Sequence, residues 1–313
     1  MIMKDRARPG IEKVCDAVLL RLWPDNLVAG KLEERRKQAE AGFRGEERVD
    51  SVLAEYRHPG PIRIIPDLRL VCGSRFQLDA LVLTQSWACL LEVENISGRS
   101  VIRDIPPQLV RITKDGREEA LGSPFAQLDS NLMLFRDWLH ERNTPIPVYG
   151  AVVFAYPSQI VEAAVAPHPI LFPNRISFFL RNLSGRPLLD EHELNELTRQ
   201  VLASHEPYVQ RPLCTMYPQV TKKDIRTGVM CTVCGEFGMR WHNRAWHCRC
   251  ESISRSAHVK AIGDWFHIFS GGMTNEECRR FLEVEDRHAA RRMMKSAGLI
   301  ENGKGRWKTY HQQ

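Results

Sequence analysis

No stretch of the chain stays apolar for long. Its longest hydrophobic runs, around Leu81 to Leu91 and Val148 to Tyr156, are interrupted or fall well short of the roughly 20 residues needed to cross a bilayer. The opening residues, MIMKDRARPG, lack the apolar core of a signal peptide. Together these absences predict a cytoplasmic protein with no membrane partner. Also missing are a phosphate-cradling P-loop, an HExxH pattern and a nucleophile elbow, so ATPase, zinc-protease and esterase functions have no support. There is no internal repeat and no low-complexity segment. With 43% hydrophobic and 26% charged residues, the composition is that of a soluble globular protein, and 313 residues suffice for two or three compact units.

Disulfide spacing is absent too, although there are nine cysteines. Cys15, Cys72, Cys89, Cys214 and Cys278 are scattered, as packed reduced thiols are. Cys231, Cys234, Cys248 and Cys250 form two tight pairs, which point to metal. Net charge is +6, and it is uneven: from Arg211 onward 18 Lys and Arg stand against 10 Asp and Glu, whereas the preceding part is slightly acidic. A basic C-terminal third suits a module that meets phosphate backbone.

Apolar residues at helical spacing mark residues 11–22 and, more loosely, about 31–56, where Val49, Val52, Leu53 and Tyr56 share one side. His58-Pro59-Gly60-Pro61 ends that helix. Three strand patterns follow, IRIIPDLRLVC, FQLDALVLT and WACLLEVEN, then an amphipathic helix, FAQLDSNLMLFRDWL, a buried strand, PVYGAVVFAY, and ISFFLRNL, which reads as strand or short helix. If Gln85-Ser86 is a two-residue hairpin loop, Thr84 faces Trp87, and counting back puts Asp79 opposite Glu92 and Gln77 opposite Glu94. Glu92 and Glu94, two apart in LLEVENISG, point to the same side. Directly opposed residues have Cβ atoms about 5 Å apart, where like charges repel, so a divalent ion or a cationic side chain is expected among them.

GFRGEERV, PDLRL, FQLDALVLT, LLEVENISGRSV and SPFAQLDSNLMLFRDWL, in this order over residues 40 to 165, resemble the nuclease-related domain, NERD, a branch of the PD-(D/E)XK nuclease superfamily. The resemblance implies an α/β (α+β) fold in which a mixed sheet is flanked by helices. It implies a Mg²⁺ or Mn²⁺ site made by Asp79, Glu92 and the main-chain carbonyl of Val93, with Glu46 on the first helix and Gln127 on the helix after the strands as further catalytic residues. Glu94 stands where the family pattern has lysine; it is carried as a catalytic residue, acting as base or further ligand, with Arg99, Arg111 and Lys114 as cations that would replace the missing charge.

In the C-terminal third, Cys231-x2-Cys234-Gly and Cys248-x-Cys250 have the pattern of a zinc ribbon, in which two thiolate pairs close a structural tetrahedron. Because the second pair is CxC, a Cys3His site using His247, at conventional spacing from Cys250, is the alternative. AHVKAIGDWFHIF then reads as a helix with Val259, Ile262, Phe266 and Phe269 along one side. TNEECRRFLEV carries a capping box at Thr274 and Glu277, and RHAARRMMKSAG and ENGKGRWKTY read as a third helix and a hairpin. This order resembles a winged helix-turn-helix, with Arg291, Arg292, Lys295, Lys304, Arg306 and Lys308 meeting nucleic acid.

The sequence therefore predicts a helical extension at 1–39, a nuclease-like domain at 40–205, a proline-rich linker at 206–226, a zinc ribbon at 227–254 and a winged-helix-like domain at 255–313. The expected function is metal-dependent phosphodiester hydrolysis on nucleic acid, DNA first. The alternative is a DNA-binding or regulatory protein on a catalytically degenerate nuclease scaffold.

Overall fold

The pattern around residues 31–56 forms one long helix. The computed structural model describes residues 1–23, 25–104, 107–113, 115–144, 146–163 and 166–312, with main chain only at 104, 107 and 306. In it, helix α1 spans Gly10–Leu19 and helix α2 spans Leu27–Glu55. Val49, Leu53 and Tyr56 are buried along one side, and the proline-rich turn stops α2 because proline has no amide to extend the ladder. The chain divides into two compact units, residues 1–9 with 40–208 and residues 10–39 with 209–313.

A mixed sheet organises the first unit. Strands β1 (Ile62–Cys72), β2 (Ser74–Thr84) and β3 (Ala88–Glu94) form an antiparallel meander. The chain continues through β4 (Arg99–Asp104), β5 (Pro107–Ile112), β6 (Glu118–Leu121) and helix α3 (Pro124–His140). Strand β7 (Val148–Phe154) then returns parallel to β3 and, after β8 (Ile160–Ala163), β9 (Ile170–Leu171) lies parallel to β7. The order is β1-β2-β3-β7-β9, with β6-β5-β4-β8 as a separate sheet. Helices α4 (Pro173–Asn182) and α5 (Glu191–Ala203) complete the unit; ISFFLRNL, open between strand and helix in the sequence, lies largely within α4.

Strand alternation decides which helix each residue meets. Leu81, Leu83, Leu90 and Val152 share a core with Phe125, Leu128, Leu132 and Phe135 of α3. Their neighbours Ala80, Val82, Cys89, Leu91 and Val153 share another with Val49 and Leu53 of α2 and Ile176 and Leu180 of α4. A shift of one residue changes the face. Each fully buried Leu or Phe in these layers contributes ~1.5–3 kcal/mol. The fold class expected from the sequence, a mixed α/β arrangement with helices flanking the sheet, is the one observed.

In the second unit, α6 (Leu213–Met216) precedes three short strands, β10 (Arg240–His242), β11 (Ala245–His247) and β12 (Ile253–Ser254), which pair antiparallel. Then come α7 (Ala257–Ile268), β13 (Met273–Thr274), α8 (Asn275–Leu282), α9 (Arg287–Ser296), β14 (Ile300–Asn302) and β15 (Thr309–His311), with β15 between the other two strands. Ile11, Val14 and Val18 of α1 share its core with Leu213, Val220 and Ile225, from the stretch expected to be a linker, and with Ile262, Trp265 and Ile268. Arg21 is 1% exposed. It donates to Asp264 at 3.0 Å and to the carbonyls of Arg226 and Gly228, both at 3.1 Å. Such a buried guanidinium is tolerated because a carboxylate and two carbonyls accept from it. No described helix is long and apolar enough to cross a membrane.

Helix α7 corrects one expectation. Its inward side is His258, Ala261, Ile262, Trp265 and Ile268, while Val259 is 40% exposed. The polar His258 takes an inward position because it is fully bonded there. The indole of Trp246 donates to Nδ1 at 3.1 Å, leaving the proton on Nε2, 2.8 Å from Ser296 Oγ.

Burial pushes the His258 pKa down to about 4. The folded state then binds fewer protons than the unfolded chain between that value and the ordinary one near 6.5, so this contribution to stability is complete above pH ~6.5 and is lost as pH falls toward 4. Comparing urea midpoints of wild type and His258→Gln from pH 8 to 4 should show a wild-type-specific loss on the order of 2 kcal/mol across that window; parallel curves would contradict the assignment.

Candidate functional site

The turn between β2 and β3 sets the site's register. Thr84 donates its amide and hydroxyl to the Trp87 carbonyl, both at 3.0 Å, and its Oγ1 accepts from the amides of Ser86 and Trp87 at 3.2 and 3.1 Å. Gln85-Ser86 is thus the two-residue loop expected. The ladder runs from Leu83↔Ala88 to Ala80↔Leu91, and its next position sets Asp79 opposite Glu92, on the face that carries Leu81, Leu90 and α3.

Asp79 and Glu92 are 8% and 4% exposed. The Val93 amide donates to Asp79 Oδ2 at 2.9 Å. Strand residues present their N–H and C=O on the same edge, so the Val93 carbonyl lies on the same side, past the end of the ladder with β2. Glu92 is held from α3, where Gln127 donates to Oε1 and Asn131 to Oε2 at 3.3 Å; Asn131 also bonds the Gln77 carbonyl at 2.8 Å. Ser123 caps α3, accepting from the Ala126 amide at 3.3 Å, with Pro124 in the first turn, which fixes where Gln127 and Asn131 emerge.

The approach of α2 depends on Gly45. A Cβ there would stand 2.7 Å from that of Asn95 and 3.1 Å from that of Ala155, so any side chain would push the helix off the strand ends. Asn95 donates to the Ala41 carbonyl at 2.6 Å, holding the same turn. Glu46 is brought to the site in this way, but its carboxylate is engaged by Arg6, a residue that no sequence pattern singled out. Residues 1–3 lie along β1 through hydrogen bonds between Met3 N and Ile64 O (2.8 Å) and between Ile64 N and Met1 O (3.0 Å). Arg6, its side chain only 4% exposed, then donates to Glu46 (2.5 Å), to both oxygens of Asp50 (2.7 and 3.0 Å) and to the Asp79 carbonyl (2.7 Å). The other cations considered lie elsewhere: Arg99 pairs with Glu162 at 2.6 Å and Arg111 with Glu119, and Lys114 is outside the described residues.

Burial and mutual repulsion favour the protonated acids. Glu92 is pushed up to about 10 by burial first, then by Asp79 and Glu94. Glu94 and Glu46 are each pushed to about 7 by burial and by Asp79. Burial raises Asp79 as well, against the Val93 amide and Arg6. Among the described residues, no three carboxylates draw together as closely as the four cysteines do; their sulfurs all lie within 4.8 Å of one another.

Those cysteines sit on two tight knuckles. Gly235, at φ 76°, donates its amide to the Cys231 carbonyl at 3.0 Å. On the other knuckle, Glu251, at φ 67°, donates to the Cys248 carbonyl at 3.1 Å. The Cys231–Cys250 and Cys234–Cys248 sulfur separations are 3.8 and 3.6 Å. A tetrahedral zinc with Zn–S near 2.3 Å requires about 3.8 Å between sulfurs, so the four fit. His247 is not in the cluster; its Nε2 lies 3.2 Å from the His242 carbonyl. Ser252, which the cysteine spacing does not reveal, has its Oγ 3.0 Å from Cys231 and 3.2 Å from Cys250.

On α9 and the following hairpin, Arg291 pairs with Glu301 at 3.1 Å, Arg292 lies 3.9 Å from Asp286, and Lys308 pairs with Glu301. Lys295 and Lys304 are exposed. The side chain of Arg306 is outside the described residues.

Residues 41–155 match the family model of the nuclease-related domain, NERD. This segment is similar to that domain, and it contains Glu46, Asp79, Glu92, Glu94 and Gln127. It covers less than half of the chain and leaves the second unit unassigned. No curated protein and no solved structure matches the chain.

Acids whose folded pKa is raised favour the fold at low pH and oppose it as pH rises above their ordinary value near 4.5. Without divalent ions, Glu92→Gln should therefore stabilise the protein at pH 8 by more than ~1 kcal/mol and change little at pH 4. Thermal denaturation in EDTA-free, metal-stripped buffer at both pH values checks this; destabilisation at pH 8 would show that Glu92 is not held against its charge.

Proposed function

We propose that the protein is a metal-dependent nuclease whose second unit holds nucleic acid. The observation that carries this reading is the opposed, buried pair Asp79 and Glu92 on the hairpin of the NERD-like segment, with two α3 amides aimed at Glu92. Desolvated carboxylates facing each other are poor structural elements and good ligands for a hard cation. The two carboxylates and the Val93 carbonyl make an all-oxygen set that fits Mg²⁺ or Mn²⁺. When bound, the ion supplies Lewis-acid polarisation of a phosphate and a more acidic water. Gln127 and Asn131 keep Glu92 turned toward that point. Glu94, one strand repeat further on, accepts the proton of the attacking water.

In the second unit, we read the order α7-β13-α8-α9-β14-β15 as that of a winged helix-turn-helix. Helix α9 would then enter the major groove, with exposed Arg291, Arg292 and Lys295 on it and Lys304, Arg306 and Lys308 on the hairpin. The four thiols would hold a structural zinc. Nine free cysteines suit the reducing cytoplasm, and DNA is the partner we favour.

Purified full-length protein should cut DNA only with Mg²⁺ or Mn²⁺, and Asp79→Ala and Glu92→Ala should each lose at least ~100-fold. Salt-dependent DNA binding with no metal-dependent cleavage would leave a non-hydrolytic binding protein, the outcome that Glu94 in place of lysine favours. Replacing both Arg291 and Lys295 by alanine should weaken binding and lower the salt slope by about 1 for each phosphate no longer neutralised; an unchanged slope would remove α9 from the interface. The full chain is required, because α1 forms part of this unit's core. Metal analysis should return about one zinc, kept in His247→Ala and lost in Cys248→Ser; the reverse would favour the Cys3His set.

A further inference from the structure

Arg6 sits where a second metal ion would. Glu46 and Asp50 lie four apart on α2, one helical turn, and so project from the same side. The third group facing the guanidinium is a main-chain carbonyl, that of Asp79, which brings the oxygens around it to four. This carbonyl is available because the β1–β2 register, which runs from Ile62↔Thr84 to Cys72↔Ser74, skips the Asp67–Asp79 pair, where Asp67 adopts φ 46°. Two carboxylates and one carbonyl converging on a single positive charge are a ligand set of the kind hard divalent cations take. Their occupant here is fixed to the chain and nearly inaccessible, and its forked donors match a carboxylate.

We propose that Arg6 is a built-in cation occupying the place of a second divalent ion, so that this site takes one exchangeable metal. The inference deepens the hydrolytic reading above and relies on it only for the first ion, at Asp79 and Glu92. Arg6 carries a charge that does not depend on ion concentration, and it abuts the main chain of a proposed ligand. Glu46 acts through Arg6, as a positioning residue. The N-terminal segment is thereby part of the site, delivered by its pairing with β1.

The test is the number of Mn²⁺ ions bound by the full-length, zinc-loaded protein, from the electron paramagnetic resonance signal of free Mn²⁺ during titration. Wild type should take one ion, Arg6→Met two, and the Arg6→Met, Asp50→Asn double variant one again. Arg6→Lys, which keeps the charge, should take one. Equal numbers in wild type and a folded Arg6→Met variant overturn the proposal. No ion in wild type with one in Arg6→Met sustains it while removing the hydrolytic reading, so the two ideas fail separately. Should Arg6→Met not fold, Asp50→Asn alone decides. Mn²⁺ affinity within about threefold of wild type supports the proposal, and a loss of about tenfold or more makes Asp50 a metal ligand and defeats it.

Discussion

Two carboxylates facing each other across a hairpin, out of water, are the constraint around which the first unit is arranged. Opposed like charges on adjacent strands repel, and removing them from solvent adds the larger penalty. Each neighbour can be understood by how it answers that problem. The Val93 amide serves Asp79, the amides of Gln127 and Asn131 serve Glu92, and the Arg6 guanidinium binds the Asp79 carbonyl and two further acids on α2. The capped start of α3, Gly45 in α2 and the pairing of residues 1–3 with β1 are all needed to deliver these partners.

The arrangement works against stability. A strand pair that ended in apolar residues would not need three surrounding elements to supply donors. Sites that disagree with the local logic of their fold are where function is expected, and this one lies inside the NERD segment. The second unit follows a different logic at several of its polar groups, which are held in closed sets: Arg21 with Asp264 and two carbonyls, His258 with Trp246 and Ser296, and four sulfurs with one another. Closed sets of this kind hold a shape; the open set at Asp79 and Glu92 leaves room for chemistry.

What the sequence by itself determined was whatever depends on short-range periodicity. A two-residue loop fixes a register, so Gln85-Ser86 was enough to set Asp79 against Glu92. Spacing of three and four residues marked α2 and α3, and paired cysteines marked the knuckles. Some of the site was legible and passed over: Asn131 lies one helical turn beyond Gln127, and Asp50 one turn beyond Glu46. For α7, periodicity favoured the obvious hydrophobic stripe, while the fold chose the side on which His258 and Trp265 find partners. Only the tertiary structure decided that Arg6 is the cation among the acids, that Arg99 and Arg111 are engaged elsewhere, and that His247 stands apart from the sulfurs. Those facts depend on contacts between residues far apart in the chain, and a side chain's distant partners leave no mark on the spacing of its neighbours.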